Sequence, residues 1–227
     1  LGKFVTFASY VGTMVWPMLA FGDCINTFTL GYAGVKRINK VFAEVPEITD
    51  SENPDDVRKL SGEIEFDHVS FKYSDDLPEA LHDLDFTIKK GETFAIMGRT
   101  GAGKTSTVNL ITRIYDVTDG EIRLDGHPIK QIPLGVLREN IAYVPQDNFL
   151  FSETLKQNIS FGKQDATMDE IIEACRMADI HDNISEFPLK YETMVGERGV
   201  TLSGGQKQRA SIARALLKDS PILIMDD

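Results

Sequence analysis

The sequence has few of the residues that build disulfide frameworks and zinc sites. It contains only two cysteines, Cys24 and Cys175, in 227 residues, and they stand far apart without the spacing of a metal-binding motif. A disulfide-stapled fold and a zinc domain are therefore excluded, and a reducing compartment fits. Internal repeats and low-complexity tracts are also missing, while 42% of the residues are hydrophobic, which excludes wholesale disorder.

Basic residues are also in short supply. The chain has 24 Lys and Arg against 35 Asp and Glu, a net charge of −11. A surface with this charge repels phosphate backbones, so we expect no nucleic-acid partner. The deficit is uneven, since residues 1–44 hold four bases and two acids and the remainder holds 20 bases and 33 acids. The two parts are therefore expected to face different surroundings.

Charge is absent altogether from residues 4–22, a run of 19 residues. As a helix at about 1.5 Å per residue, this run would span roughly 28 Å, close to the ~30 Å of a bilayer's hydrocarbon core. Lys36, Arg37 and Lys40 follow, which places the C-terminal side in the cytoplasm by the positive-inside tendency. The alternative is a buried helix of a soluble protein, which Pro17 and the Thr and Ser residues of the run make plausible.

Periodicity divides the rest of the chain. Apolar residues over 25–42 recur at three- and four-residue intervals, which predicts that the first helix continues beyond the apolar run. Residues 45–62 mix prolines, acids and small polar residues without periodicity, as is typical of a linker. A domain boundary is expected there.

After the linker, strand and helix patterns alternate, which predicts an α/β core. Residues 64–73 and 84–88 alternate as half-buried strands of an antiparallel sheet, whereas residues 93–97 form a short apolar run typical of a fully buried strand. Helices are predicted over 167–179 and 202–218, and another strand over 222–225.

A phosphate-binding loop is predicted between the buried strand and the next helical segment. Residues 98–105, GRTGAGKT, match the pattern G-x-x-x-x-G-K-[ST]. The glycines are expected to turn with positive φ, so that successive N–H groups and a helix N-terminus face a polyphosphate. The residues expected to bind nucleotide here are Gly98, Arg99, Thr100, Gly101, Ala102, Gly103, Lys104, Thr105 and Ser106.

Particular roles follow from the side chains of this loop. Lys104 would reach the β and γ phosphates, Thr105 would offer a hydroxyl to Mg²⁺, and Ser106 would donate to a phosphate oxygen. Asp226 closes the apolar strand ILIM and is the candidate acid for the same metal ion. The alternatives are a glycine-rich turn with a solvated lysine and an ordinary strand-terminating turn, and the two motifs together weigh against both.

A second glycine-rich helix start lies between these motifs. Lys104 and Asp226 are 122 residues apart, which leaves room for an inserted helical subdomain, and LSGGQKQR occupies residues 202–209. Ser203, Gly204 and Gly205 would expose bare backbone amides at a helix N-terminus. A single chain cannot bring both anion sites to one nucleotide if the second protrudes, but two chains facing head to tail can.

These motifs closely resemble the ATP-binding cassette (ABC) transporters, in particular exporter half-transporters of the multidrug and lipid type. GRTGAGKT is similar to Walker A, LSGGQ to the signature, ILIMD to Walker B, and YVPQDNFLF to the Q-loop. The resemblance implies a P-loop NTPase of the ABC type, with a RecA-like core, an antiparallel β subdomain and a helical subdomain. It further implies a transmembrane helix and its extension over 1–44, a linker over 45–60 and a nucleotide-binding domain over 61–227.

The resemblance also implies roles for individual residues. Tyr73 would stack on adenine, Gln146 would ligate Mg²⁺ and sense the γ-phosphate, and Glu197 and Arg198 would lie near the partner's coupling helix. A further set, Ser203, Gly204, Gly205 and Gln206, would contact ATP that is bound to a second half-transporter. The implied protein is a multi-pass ATP hydrolase of the cell membrane, with a cytoplasmic ATP-binding domain that drives export of an unidentified substrate across the lipid bilayer.

The sequence departs from the family pattern at Asp227, where a glutamate usually polarises the attacking water. The shorter side chain suggests the degenerate half of a heterodimer, and a homodimer in which Asp227 is an adequate base is the alternative. The D-loop and the switch histidine of the family are not in the sequence, so we expect a fragment of a longer polypeptide.

Two other classes of protein remain as alternatives. One is a soluble ABC-type ATPase of DNA repair or chromosome maintenance, against which the acidic charge and the apolar run both weigh. The other is a module that holds ATP structurally, which Asp227 keeps open for this half alone.

Overall fold

The computed structural model describes residues 1–196 and 202–226. These residues fall into two compact units, Leu1–Glu47 and Ile48–Asp227.

The first unit consists of one long helix, α1, over Gly2–Phe42. Its polar side chains do not interrupt it, because the Thr6, Thr13 and Thr29 hydroxyls donate to main-chain carbonyls three or four residues earlier. The helix therefore continues past the apolar run, which confirms the prediction from periodicity. Among the described residues, α1 is the helix whose length and composition suffice to cross a membrane, and all its large apolar side chains are exposed in this structure.

The second unit begins with an antiparallel sheet in the order β2-β1-β3-β4. Its strands are β1 (Ile64–Phe71), β2 (Leu81–Ile88), β3 (Asp119–Leu124) and β4 (His127–Pro128). The pairing of Phe66 with Phe86 on β2 and with Ile122 on β3 sets the register. Phe66 and Ile122 are buried, so the apolar alternation seen in the sequence does form one face of this sheet.

A second, parallel sheet pairs β5 (Ile141–Val144) with β6 (Ile222–Met225). The prediction of a strand at 222–225 is confirmed. The prediction of a fully buried strand at 93–97 is wrong in this structure, which assigns no strand there and leaves Phe94, Ile96 and Met97 exposed. The physical reason is that a strand becomes fully buried only when neighbouring strands pair with it and other elements cover its faces. In the described residues β6 pairs with β5 and not with residues 93–97.

Seven α-helices and one 3₁₀ turn are described in residues 1–196 and 202–226. After α1 come α2 (Lys104–Ile111), α3 (Leu134–Glu139), α4 (Leu155–Ser160), α5 (Met168–Met177), α6 (His181–Glu186), the 3₁₀ turn Lys190–Glu192 and α7 (Gly204–Leu217). Both Thr154 and Thr167 begin their helices with a capping box. Helices α4 to α7 share one large apolar core, and α2 packs on the antiparallel sheet in a second. A third, smaller cluster joins Ala142 and Val144 of β5 to Ala215 of α7.

Part of the expected linker is attached to the second unit. The carbonyl of Thr49 accepts a 3.0 Å hydrogen bond from Arg113 Nη2, and Asp50 Oδ1 accepts one of 2.6 Å from the Leu134 amide. Leu60 is buried, and its amide donates to Asn140 Oδ1 over 3.2 Å. These contacts keep the segment before β1 against the folded unit.

Candidate functional site

The phosphate-binding loop ends at Gly103, the N-cap of α2, which has a left-handed φ of 86°. A Cβ at Gly103 would lie 2.5 Å from Leu81 Cδ2 and 2.8 Å from the Ala80 carbonyl oxygen, so glycine is required on two grounds. Gly101 also has positive φ, as expected. Gly98 does not, which corrects that part of the prediction; a Cβ there would lie 3.0 Å from Ala102 Cβ, so close packing explains this glycine.

The start of α2 leaves several backbone amides without an intrahelical partner. The first hydrogen bond that closes α2 runs from the Thr107 amide to the Gly103 carbonyl over 2.9 Å. The N–H groups before Thr107 therefore have no intrahelical partner and point out of the helix N-terminus. The residues Arg99, Thr100, Gly101, Ala102 and Thr105 are exposed. An anion with several oxygens fits this arrangement of donors.

The side chain of Lys104 lies against the first residues of the phosphate-binding loop. Its Nζ donates to the carbonyl oxygens of Gly98 and Arg99 at 3.0 and 3.2 Å. The same residue lines a cavity of about 630 Å³ together with residues 93–96, part of α2, β6 and Asp226. A flexible cation and a carboxylate, Lys104 and Asp226, thus line one cavity.

Tyr73 lies next to the first turn of α2. The residue is 46% exposed, and its ring contacts Phe71 and Tyr115 edge to face, with centroids 4.8 and 5.2 Å away. Its hydroxyl and Ser106 Oγ are 2.8 Å apart and hydrogen-bonded, and Ser106 is buried. The structure therefore places an exposed aromatic ring beside the phosphate-binding loop. The Tyr73–Ser106 bond joins residues 33 apart, and nothing in the sequence pattern indicated it.

Gln146 and Asp226 follow adjacent parallel strands. Val144 pairs with Met225 in register, and the Asp226 amide donates to the Val144 carbonyl over 3.0 Å. Gln146 comes two residues after β5 and is exposed, so both side chains start from the same edge of the sheet. Burial and the Asp226 carboxylate raise the pKa of Tyr143 on β5. Tyr143 could not be identified from the sequence, because the residues of a four-residue strand do not indicate that Asp226 lies beside it.

The donor set suits a magnesium ion that arrives with a nucleotide. Thr105, Gln146 and Asp226 offer a hydroxyl, an amide carbonyl and a carboxylate, all hard oxygen donors of the kind Mg²⁺ takes. Among the described residues, no group of three or more His, Cys, Asp or Glu side chains could hold a metal ion. Such a site fits Mg²⁺ only when phosphate oxygens and water complete the coordination.

The signature segment begins α7. Ser203 is the N-cap, its Oγ accepts from the Gln206 amide over 3.3 Å, and Gln206 Oε1 accepts from the Ser203 amide over 3.0 Å. A Cβ added at Gly204 or Gly205 would meet no atom within 4 Å, so both glycines face open space. Residues 203–206 do not line the cavity at Lys104 in the described part of the chain.

Three of the predicted residues cannot be compared with the structure. Glu197 and Arg198 of the VGERG segment lie outside the described residues, and so does Asp227, the candidate base.

Comparison with known proteins agrees with this geometry. The family model described as ABC transporter matches residues 81–227. The whole chain is 47% identical to a probable multidrug resistance ABC transporter ATP-binding/permease protein, YheI, of Bacillus subtilis and covers 39% of it. It is 43% identical over 226 residues to an ATP-dependent lipid A-core flippase of Syntrophus aciditrophicus and covers 37% of that protein.

A solved structure shares the fold. It is described as a bacterial Atm1-family ABC exporter with ATP bound, and it superimposes with a TM-score of 0.82 at 38% sequence identity. The alignment covers 87% of this chain and 34% of that one. The chain thus spans less than two fifths of the length of these relatives. It belongs to the ABC transporter family and contains the ATP-binding domain of the exporter type, preceded by a long apolar helix.

Proposed function

We propose that this chain is the ATP-binding part of an ABC exporter, in which ATP binding and hydrolysis between two head-to-tail domains drive a substrate across a membrane. One observation carries the proposal: Lys104 and Asp226 face a common cavity that residues 203–206 do not line. The bare N-terminus of α7 therefore suits a nucleotide held by another domain. Since a head-to-tail pair repeats the contact, each nucleotide would join a phosphate-binding loop to a partner's signature.

Binding of MgATP would use the groups already described. Amides of the loop 98–105 and Lys104 would hold the phosphates, Ser106 would donate to a phosphate oxygen, and the exposed Tyr73 ring would stack on adenine. Thr105, Gln146 and Asp226 would hold Mg²⁺, which supplies positive charge for the phosphate oxygens. Gln146 starts from the same sheet edge as Asp226, which supports its role as a sensor of the γ-phosphate.

Hydrolysis would depend on a base that orients water, and Asp227 is the candidate. A carboxylate one methylene shorter than the usual glutamate is expected to cost about 100- to 10,000-fold in rate if the base is misplaced. We infer that this half binds ATP tightly, hydrolyses it slowly, and completes a partner's active site with its own signature. A homodimer with an adequate Asp227 is the alternative.

The helix α1 would be a membrane span of the transport domain. Its 41 residues, its uncharged run over 4–22 and its exposed large apolar side chains support this placement, with the ATP-binding domain in the cytoplasm. We assign residues 1–44 to the membrane helix and its extension, 45–60 to the linker and 61–227 to the nucleotide-binding domain. The substrate contacts would lie in other membrane helices.

A complementation experiment tests the shared sites. Lys104→Ala would disable the phosphate-binding loop, and Gly204→Asp would place a negative charge at the signature without a steric clash, since a Cβ at Gly204 meets open space. In the homodimeric alternative, in which both chains of the pair are this one, each variant should be inactive alone. A mixture should recover roughly a quarter of the parental ATPase rate, because half of the dimers are mixed and each has one intact site. Gly135→Asp, at another open glycine near a helix start, is the control that should stay active.

The heterodimer hypothesis has its own test. Asp227→Glu in the assembled transporter should raise hydrolysis at this site, whereas an unchanged rate together with a homodimer on sizing contradicts it.

Fractionation separates the exporter from the nucleic-acid ATPase, since the full chain should pellet with membranes and show no salt-sensitive DNA binding.

A further inference from the structure

Arg214 sits where three elements of the helical region meet. It belongs to α7, the helix that begins at the signature residue Ser203. Its side chain leaves α7 toward α4 and toward the segment that follows Gln146.

The guanidinium group binds main-chain oxygens of both neighbours. Nη1 donates to the carbonyl of Phe149 over 3.2 Å, and Nε donates to the carbonyl of Asn158 on α4 over 2.8 Å. Nη2 lies 3.4 Å from Asn158 Oδ1, at the limit of a hydrogen bond. One side chain therefore connects α7 with α4 and with a residue three positions after Gln146.

Asn158 extends this connection into a network. It is buried, its Oδ1 accepts from the Phe151 amide over 2.8 Å, and its Nδ2 donates to the carbonyls of Phe151 and Thr154, both at 3.0 Å. The chain after α4 also touches α7 directly, since a Cβ at Gly162 would lie 2.4 Å from the Arg214 carbonyl oxygen. Helix α7 and the chain after α4 thus approach too closely at Gly162 for a side chain to fit between them.

The charge of Arg214 argues for more than packing. No carboxylate forms an ion pair with it in the part of the chain that the structure describes, and burial lowers its pKa. Its partners are carbonyl oxygens and the rings of Phe151 and Phe161, whose centroids lie 5.9 and 5.8 Å from its Cζ. The planar fork of an arginine donates in fixed directions from separate nitrogens, here to two carbonyls, while its charge lies near two aromatic rings. Lysine lacks this geometry.

The network ends at two parts of the proposed nucleotide site. Gln146 lies three residues before Phe149, and Ser203 lies 11 residues before Arg214 along α7, roughly 16 Å at helical rise. We propose that Arg214 is a positioning residue that makes the Gln146 segment and the signature helix move as one body when nucleotide binds. The inference rests on the proposed function, because it concerns how that site transmits a change.

The test compares Arg214→Lys with Arg209→Lys in the full chain. Arg214→Lys keeps the charge and loses the fork. Arg209 is on the same helix but pairs with Asp179 and Asn183, so its substitution is the matched control. Hydrogen exchange with and without MgATP is the readout, since a purely structural role would not change the pattern of protection.

In the parent and in Arg209→Lys, MgATP should slow exchange at residues 98–106, 146–151 and 202–206 together. In Arg214→Lys, protection should persist at 98–106 and be lost at the other two segments. The kcat for ATP should fall by at least about tenfold while KM changes less than twofold, since binding is kept and alignment is lost. Equal protection of all three segments in Arg214→Lys would overturn the inference.

A milder variant covers the case in which Arg214→Lys does not fold. Phe161→Leu removes one of the two rings, leaves the hydrogen bonds in place and alters an exposed side chain. It should partially reduce the protection from hydrogen exchange that MgATP gives to residues 146–151 and 202–206. Protection equal to that of the parent would overturn the inference. If MgATP protects no segment even in the parent, the proposed function itself fails and this inference fails with it.

Discussion

The Asp226 amide donates a hydrogen bond to the Val144 carbonyl over 3.0 Å, and this bond fixes the edge of the parallel sheet at which the candidate metal ligands lie. It sets Asp226 beside the start of the segment that carries Gln146. The cavity that contains Lys104 reaches the same edge. Lys104 and Asp226 therefore line one cavity, and the Gln146 segment leaves the sheet from the strand next to that of Asp226.

The first prediction concerns the carboxylate at that edge. Asp226→Asn removes the negative charge and keeps the shape, so it should weaken binding of MgATP about tenfold, as expected for a lost charged ligand. Binding of ATP in excess EDTA should not weaken. Isothermal titration under both conditions measures the difference, and Asp219→Asn in the exposed turn after α7 is the control. An equal loss with and without Mg²⁺ would show that Asp226 is not a metal ligand.

The second prediction separates two glycines of the loop. Gly103→Ala combines positive φ with a Cβ 2.5 Å from Leu81 Cδ2, and it should destabilise the domain by about 3 kcal/mol. Gly101→Ala has positive φ but no atom within 4 Å of the new Cβ, and it should cost only about 1 kcal/mol. Urea denaturation of the full chain compares them. Equal losses would contradict the steric argument at Gly103.

The third prediction separates helix capping from recognition at the signature. Ser203→Ala removes the side-chain acceptor of the capping box and should destabilise α7 by about 1 kcal/mol. Gln206→Glu keeps the capping box, because glutamate serves equally at that position. It should nevertheless reduce MgATP-dependent pairing of the chains, since its charge would face a phosphate. Thermal melts and sizing with MgATP distinguish the two effects, and parental pairing in Gln206→Glu would count against the shared site.

Local pattern predicted much of the fold. Alternation at Ile64, Phe66 and Phe86 indicated the antiparallel sheet because one face of it is buried. The helical character of residues 167–179 indicated α5, and the glycine-rich loop indicated the start of α2. These features depend on residues close together in the chain, so the sequence reports them directly.

Contacts between distant residues could not be predicted in this way. Residues 93–97 are exposed because no strand pairs with them in the described residues, and a short apolar run does not indicate which strands will pair with it. The attachment of Thr49 to Arg113 joins residues 64 apart within a stretch that has no periodicity. Arg214 likewise donates hydrogen bonds to carbonyls that lie 56 and 65 residues away, and no pattern of side chains in the sequence predicts these contacts.

The most direct test of the account is the affinity of the full chain for MgATP with and without the Lys104 ammonium group. Lys104→Ala should weaken binding about 100-fold by isothermal titration, because charge-assisted bonds contribute about 1.5 to 3 kcal/mol each. Lys156→Ala, an exposed lysine on α4 that pairs with Glu192, should bind like the parent. If Lys104→Ala binds MgATP as tightly as the parent, the loop over residues 98–105 is not the phosphate site and the account is wrong.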